Sequence, residues 1–400
     1  MIKRNFIFTR CQMIYLHRPK LQKKTISECS KVLATNWISS GGNYIDLFEK
    51  KIKKLVGTKF SVSFSNCTSA LQIALKLCNA DKKSDVLVPS TSFIATANSI
   101  LYNNSNPFFL DIKQNLNLDV LKALDFLDKQ TYNKNNCTYN KITKRKISCF
   151  LIVHVFGTPL ENIDKLKKKC KEKKIFLIED CAESLGSYYL KKNKKVHTGV
   201  FGDISCFSFN GNKLVTAGSG GMLCTNNKKI SDKARYLSTT AKDNSYDFTH
   251  NNLGYNYRIS NINACIGYNE IKNLDKILKK KLFIYKLYKN EFKNLDNIKI
   301  INSSNSSFKN NFWLIIIKIN SKDNLIKKFK NFSEKNLFET RSVWKLLYLQ
   351  NHLSKYNSSQ CKKSKELIKN CFCLPTGLDL TRSDIKNISS KIKLFLKKIK

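Results

Sequence analysis

Lys213 closes the stretch Cys206-Phe207-Ser208-Phe209-Asn210-Gly211-Asn212-Lys213, four residues beyond an apolar run and just ahead of the glycine-rich AGSGG. A lysine held in such an interior can lose its charge and act as an amine nucleophile. The competing reading is a solvated loop lysine. Asp180 ends the apolar run Ile175-Phe176-Leu177-Ile178-Glu179. At the C-terminal edge of a parallel sheet, its carboxylate would face the place where open α/β sheets take ligands. An acid there can keep a pyridine ring nitrogen protonated, and it can equally be a helix N-cap or a metal ligand. Glu183 follows three residues on and falls beside the same place. The third element is Ser65-Asn66-Cys67-Thr68-Ser69-Ala70-Leu71, where a strand turns into a helix. Its hydroxyls and first-turn N–H groups would make a phosphate cup, or simply an N-cap.

These residues need a scaffold, and the apolar pattern supplies one. Residues 59–65 alternate like a strand, and 68–77 return to helical spacing. Strands follow at 85–88, 107–111, 147–155, 174–178, 204–209 and 221–225, with helices at 94–102 and 163–173 between them. Two helices, at 23–33 and 44–55, come first. The alternation predicts a mostly parallel sheet covered on both faces. Residues 128–146, rich in Lys and Asn, read as a polar surface insertion. From about residue 262 one long helix is expected, then a strand at 312–319 and helices near 323–336 and 383–398. The chain therefore divides into an extension (1–20), a large domain (21–260) and a smaller C-terminal domain (261–400).

Composition argues against other classes. The chain has 72 Lys plus Arg against 29 Asp plus Glu, a formal net charge of +43. Charge alone suggests a non-catalytic nucleic-acid binder. Yet Lys outnumbers Arg 64 to 8, and polyanion readers rely on the bidentate Arg fork. With 42% apolar residues the chain can also build a large core. The charge therefore reads as drift of the whole composition, with no nucleic-acid partner. The 14 cysteines are scattered, without CxxC or zinc-type spacing. They read as free thiols of a reducing compartment, with no metal site. No secretory segment and no apolar run of 18 residues is present, so the expectation is a cytoplasmic protein without membrane partners.

The motifs NWISSGG, NCTSALQIAL, VPSTSFIATANSI, HVFGTPL, EDCAESLGS, GDISCFSFNGNK, GSGGML, LGYNYRISNINACIG and ETRSVWK follow one another from Trp37 onward. In this order they closely resemble the DegT/DnrJ/StrS family of pyridoxal-phosphate-dependent nucleotide-sugar aminotransferases. The resemblance implies a fold-type I transferase: an α/β large domain on a mostly parallel seven-stranded sheet, plus a smaller α+β domain. It implies that Lys213 forms the Schiff base with pyridoxal 5'-phosphate and moves the proton. Asp180 would pair with the pyridine nitrogen, and Glu183 would lie near the ring hydroxyl and the sugar. Phe93 would stack on the ring, although an aromatic after a strand is more often core. Thr68, Ser69 and Ser208 would hold the phosphate. Asn256 would reach it from a second subunit, implying a homodimer with shared sites. His154 would lie near the site or be an ordinary core histidine.

Some family members carry His in place of the Schiff-base lysine and act as sugar dehydratases. Lys213 favours amino transfer over that, while 3-amination or a lysine-containing dehydratase stays open. NWISSGGNYIDLFEK, NGNK and LSTTAKD are similar to the branch that makes legionaminic-acid-type sugars. That similarity implies 4-amination of a UDP-linked 4-keto-6-deoxy-N-acetylhexosamine with L-glutamate as donor, in surface-polysaccharide or nonulosonic-acid biosynthesis. Two positions depart from the family pattern: Cys67 stands where glycine is usual, and Tyr348 stands where histidine is usual.

Overall fold

The structure is a computed structural model that describes residues 13–191 and 194–399. Seven strands form the path of the main sheet: β1 (Phe60–Phe64), β2 (Ser84–Pro89), β3 (Asn106–Leu110), β4 (Lys146–Val153), β5 (Phe176–Asp180), β6 (Ile204–Ser208) and β7 (Gly221–Thr225). Their spatial order is β1-β7-β6-β5-β4-β2-β3. β7 runs antiparallel to β1 and β6, and every other pairing on the path is parallel. The mostly parallel seven-stranded path is therefore present, within a sheet of nine strands. Its strands are buried along nearly their whole length because helices cover both faces.

Of the helices that lead into or connect this sheet, the first four in the chain are α1 (Lys23–Ala34), α2 (Asn43–Val56), α3 (Cys67–Leu77) and α4 (Ile94–Leu101). Ile45, Phe48 and Ile52 share one face of α2 by their spacing, and all three are fully buried. Gly57 ends that helix in the left-handed conformation. The expected long helix after residue 262 is two, Asn261–Ile271 and Leu274–Glu291. The first packs against α1 and α2, and the second against the terminal helix Arg382–Lys398. A four-stranded antiparallel sheet (Ile298–Ile300, Ile315–Ile319, Cys371–Leu374, Arg341–Ser342) completes the C-terminal part.

Two segments carry more structure than their sequence suggests. The polar surface insertion 128–146 is an ordered element. Thr131–Lys134 and Cys137–Asn140 form a hairpin that joins the main sheet beside β4, through Tyr139 opposite Lys146. The Asn140 amide donates to buried Asp85 at 3.0 Å, so a polar sequence conceals an anchored element. The extension 1–20 also changes character. Residues 1–12 lie outside the described part. Ile14 pairs with Phe338 and Leu16 is 6% exposed, so the segment packs against the C-terminal part. Among the described residues, no helix is long and apolar enough to cross a membrane.

Candidate active site

The parallel strands deliver their C-terminal ends to one edge of the sheet, and the candidate residues follow those ends. β5 stops at Asp180, between Val153 of β4 and Cys206 of β6. Glu179 and Asp180 point to opposite faces, because side chains alternate along a strand. Glu179 accepts from the backbone N–H groups of Gly199, Phe201 and Gly202 and from His154 Nε2 at 2.6–2.9 Å. His154 Nδ1 accepts from Leu160 N–H at 3.1 Å, so Nε2 carries the proton given to Glu179. Both are completely buried, and His154 is a satisfied core residue that does not line the site. Cys181 lies within metal-binding reach of the two, but the carboxylate is already saturated with donors.

Asp180 instead faces a cavity of about 440 Å3. Thr96 Oγ1 donates to its Oδ2 at 2.8 Å, and the Ala182 N–H donates to Oδ1 at 3.0 Å. Thr96 spends its only hydrogen there, so the Ser92 hydroxyl, 2.6 Å away, must donate to Thr96. Each carboxylate oxygen still has a lone pair free. Burial pushes the Asp180 carboxyl up, while Thr96, Ala182 and Lys213 pull it back.

Lys213 sits on a loop pinched at its base by the Ala217 N–H donating to the Phe209 carbonyl at 2.8 Å. Its side chain is 13% exposed, and Nζ is 3.5 Å from Glu183 Oε1. Nζ also lies 4.1 Å from the centre of the Trp313 ring. Trp313 is fixed by its Nε1–H to the Asn212 carbonyl at 2.8 Å. Glu183 Oε2 accepts the Phe156 N–H at 2.7 Å. Phe156 offers that N–H from a left-handed conformation (φ 50°), which is costly for a bulky side chain. Gly157 beside it has φ 80°, and a Cβ there would lie 2.0 Å from Asn311 Oδ1. Burial raises the Glu183 carboxyl to about 7, against the pull of Lys213 and the Phe156 N–H.

The far end of the cavity is the start of α3. Asn66 is the N-cap, and its Oδ1 accepts the Ser69 N–H and hydroxyl at 2.9 and 3.1 Å. The first-turn N–H groups of Cys67 and Thr68 have no partner within the helix. Gly221 permits the close approach of β7 here, since a Cβ would lie 2.4 Å from the Asn66 carbonyl oxygen. Ser208, at the end of β6, lines the same end. Phe93 is 53% exposed and opens onto the cavity 6.2 Å from the Trp344 ring. Trp344 stacks on Phe156 at 4.3 Å.

Six of the eight residues singled out from the sequence (Lys213, Asp180, Glu183, Phe93, Thr68, Ser208) thus line one cavity. Ser69 does not, and both of its donors are committed to Asn66. Asn256 does not either: it is exposed and pairs with Thr239. Cys67 lines the cavity, with its thiol held far above the usual range by burial. Tyr348 packs near Phe109 away from the cavity. Sequence reasoning missed Thr96, Phe156, Trp313 and Trp344, which nothing local marks. It also missed Asn66, which an Asn three residues before a Ser at a helix start could have signalled.

The model of the DegT/DnrJ/EryC1/StrS aminotransferase family matches residues 19–393. The GDP-perosamine synthase of Escherichia coli O157:H7 is 30% identical over 334 residues, 83% of this chain and 84% of that one. The UDP-4-amino-4,6-dideoxy-N-acetyl-beta-L-altrosamine transaminase of Campylobacter jejuni (serotype O:23/36) is 32% identical over 282 residues, 70% of each chain. Among solved structures, the Helicobacter pylori aminotransferase PseC, involved in the biosynthesis of pseudoaminic acid, superposes with a TM-score of 0.85. It is 23% identical, covering 97% of this chain and 100% of that one.

Proposed function

Because the chain belongs to the DegT/DnrJ/EryC1/StrS aminotransferase family, we propose that it aminates C4 of a UDP-linked 4-keto-6-deoxy-N-acetylhexosamine, with L-glutamate as donor. The family's enzymes are pyridoxal-phosphate-dependent sugar aminotransferases, and a PLP-form structure is among those this fold matches. The observation that carries the reading is one cavity holding an amine, two acids and a helix N-terminus. The donor set fits the cofactor. Asp180 has lone pairs free for a ring N–H, and the start of α3 offers unpaired N–H groups for a phosphate. When bound, pyridoxal phosphate supplies the electron sink that lets an α-C–H bond of an amine ionise.

The chain's own residues would do the rest. Asp180 holds the ring proton, and Thr68 and Ser208 take the phosphate with the α3 N–H groups. Phe93 covers a ring face. Lys213 Nζ anchors the cofactor, takes the α-proton of the donor once free, and returns a proton to the sugar carbon. Glu183, 3.5 Å away with its carboxyl raised to about 7 by burial, is placed to exchange a proton with Lys213 Nζ. Asn256 would complete the phosphate site of a second subunit in a homodimer. Its exposure, and that of Tyr246 and Phe248 nearby, supports an interface there.

The C4 position and the UDP-linked N-acetyl sugar are supported by the Campylobacter relative, which is named for a UDP-linked 4-amino-4,6-dideoxy-N-acetyl sugar. A GDP-linked 4-keto sugar is the second reading, favoured by GDP-perosamine synthases that align over more of the chain. Turnover of UDP-, GDP- and dTDP-linked 4-keto sugars with glutamate, read by mass spectrometry, separates the two. Lys213→Ala should abolish turnover with every substrate; retained amino transfer would remove Lys213 from its role.

A further inference from the structure

We propose that Ile14–His17 is a working wall of the cavity and that His17 is the positioning residue for the Lys213 loop. The segment lies ahead of the residues that match the family. It is nevertheless fastened at three points. The Ile14 N–H donates to the Leu337 carbonyl at 2.9 Å, and the Glu339 N–H returns a bond to the Ile14 carbonyl at 2.8 Å. The Leu16 N–H donates to Glu339 Oε2 at 2.9 Å. The Thr376 N–H donates to the Leu16 carbonyl at 2.7 Å. These bonds bring the Leu16 and His17 side chains to the cavity that Lys213 lines.

His17 then bridges two lysines. Its Nε2 lies 3.3 Å from the Lys213 carbonyl oxygen, and its Nδ1 lies 3.1 Å from Lys281 Nζ. A carbonyl only accepts, so Nε2 must carry the hydrogen. Lys281 is completely buried and donates to the carbonyls of Trp313 and Thr376 at 3.0 and 2.6 Å. That leaves Nδ1 as a further acceptor, and the imidazole is held neutral in one tautomer. Burial pushes its pKa down to about 3, in the same sense.

The backbone of Lys213 is thus gripped from outside its own loop. Trp313 receives the Lys281 bond at its carbonyl and gives its own N–H to Asn212, so both sides of the grip meet at one residue. Releasing the His17 bond would let the Lys213 carbonyl turn and Nζ drift from Glu183. Misplacement of a reacting group by about 1 Å can cost about 100-fold in rate.

The role rests on the aminotransferase reading, and the test separates the two. His17→Ala, His17→Gln and, should Ala not fold, His17→Leu are compared with the wild-type holoenzyme. Gln keeps an N–H near the Nε2 position. The expected result is a roughly 10- to 100-fold loss of kcat in Ala or Leu, with the sugar KM nearly unchanged and most of kcat regained in Gln. Amide exchange at residues 212–215, measured on cofactor-free protein, should quicken at least about fivefold in Ala or Leu and not in Gln. Wild-type kcat in Ala, an equal loss in Gln, or unchanged exchange overturns the proposal. A wild-type enzyme that aminates no sugar overturns the function, while exchange still reports on the strap.

Discussion

Replacing Glu183 with Gln tests the electrostatics of the cavity without removing any backbone support. The wild-type carboxyl is raised from 4.5 to about 7, chiefly by burial. Between those values the folded chain keeps a proton that the unfolded chain releases. Stability must therefore fall as pH rises through this window and level off above it. At 1.36 kcal/mol for each pH step, the loss attributable to this one group is about 3 kcal/mol. Gln has no proton to lose and resembles the protonated acid in shape. At pH 4.5 the variant and the wild type should be equally stable. By pH 7.5 the variant should be the more stable by up to about 3 kcal/mol. Urea denaturation of both cofactor-free proteins across pH 4.5–7.5 gives the difference directly, since all other titrating groups are shared. Parallel curves would refute the reading and mean that Lys213 and the Phe156 N–H fully compensate the burial. The same variant should lose turnover above pH 6, where a carboxyl that can exchange a proton matters to Lys213.

Thr96→Val removes the donor to Asp180 at 2.8 Å and leaves a buried carboxylate oxygen unpaired. A stability loss of about 1.5–3 kcal/mol is expected by denaturation, and no loss would place water in the role of Thr96. Gly157→Ala puts a Cβ on Asn311 at φ 80°. It should cost about 2–4 kcal/mol and displace the turn that holds Glu183, seen as lower yield and melting temperature; a neutral effect would mean that this turn relaxes easily.

What could be read from the chain beforehand was what short-range pattern encodes. Strand β5 and its terminal acid were legible, because apolar runs ending in a charge mark a sheet edge. The cup at Thr68 was legible as a strand-to-helix turn, and Lys213 became more than a loop lysine only beside these two. Thr96, Trp313 and Phe156 carry no such mark. Thr96 meets Asp180 across 84 positions and Trp313 meets Asn212 across 101. Such contacts exist only once the sheet has brought the strand ends together. Ser69 is the converse case: its residue type suits a phosphate, while in this structure its N–H and hydroxyl are both given to the Asn66 cap. The hairpin within 128–146 escaped because its buried groups are polar and satisfied by distant partners such as Asp85 and the Lys173 carbonyl, not by an apolar pattern.

The alternation of Glu179 and Asp180 has a consequence for how this sequence can change. Two neighbouring carboxylates, identical in kind apart from one methylene, serve opposite faces of one strand. Point substitution can tune either without touching the other. An insertion or deletion of a single residue in β5 cannot, because it rotates both by half a turn. The acid that closes three backbone amides and a histidine would then open onto the cavity, and the cavity's acid would face the closed side. A one-residue change in the length of β5 should therefore disturb both faces at once, and length changes should be tolerated only in the loops beyond the strand ends.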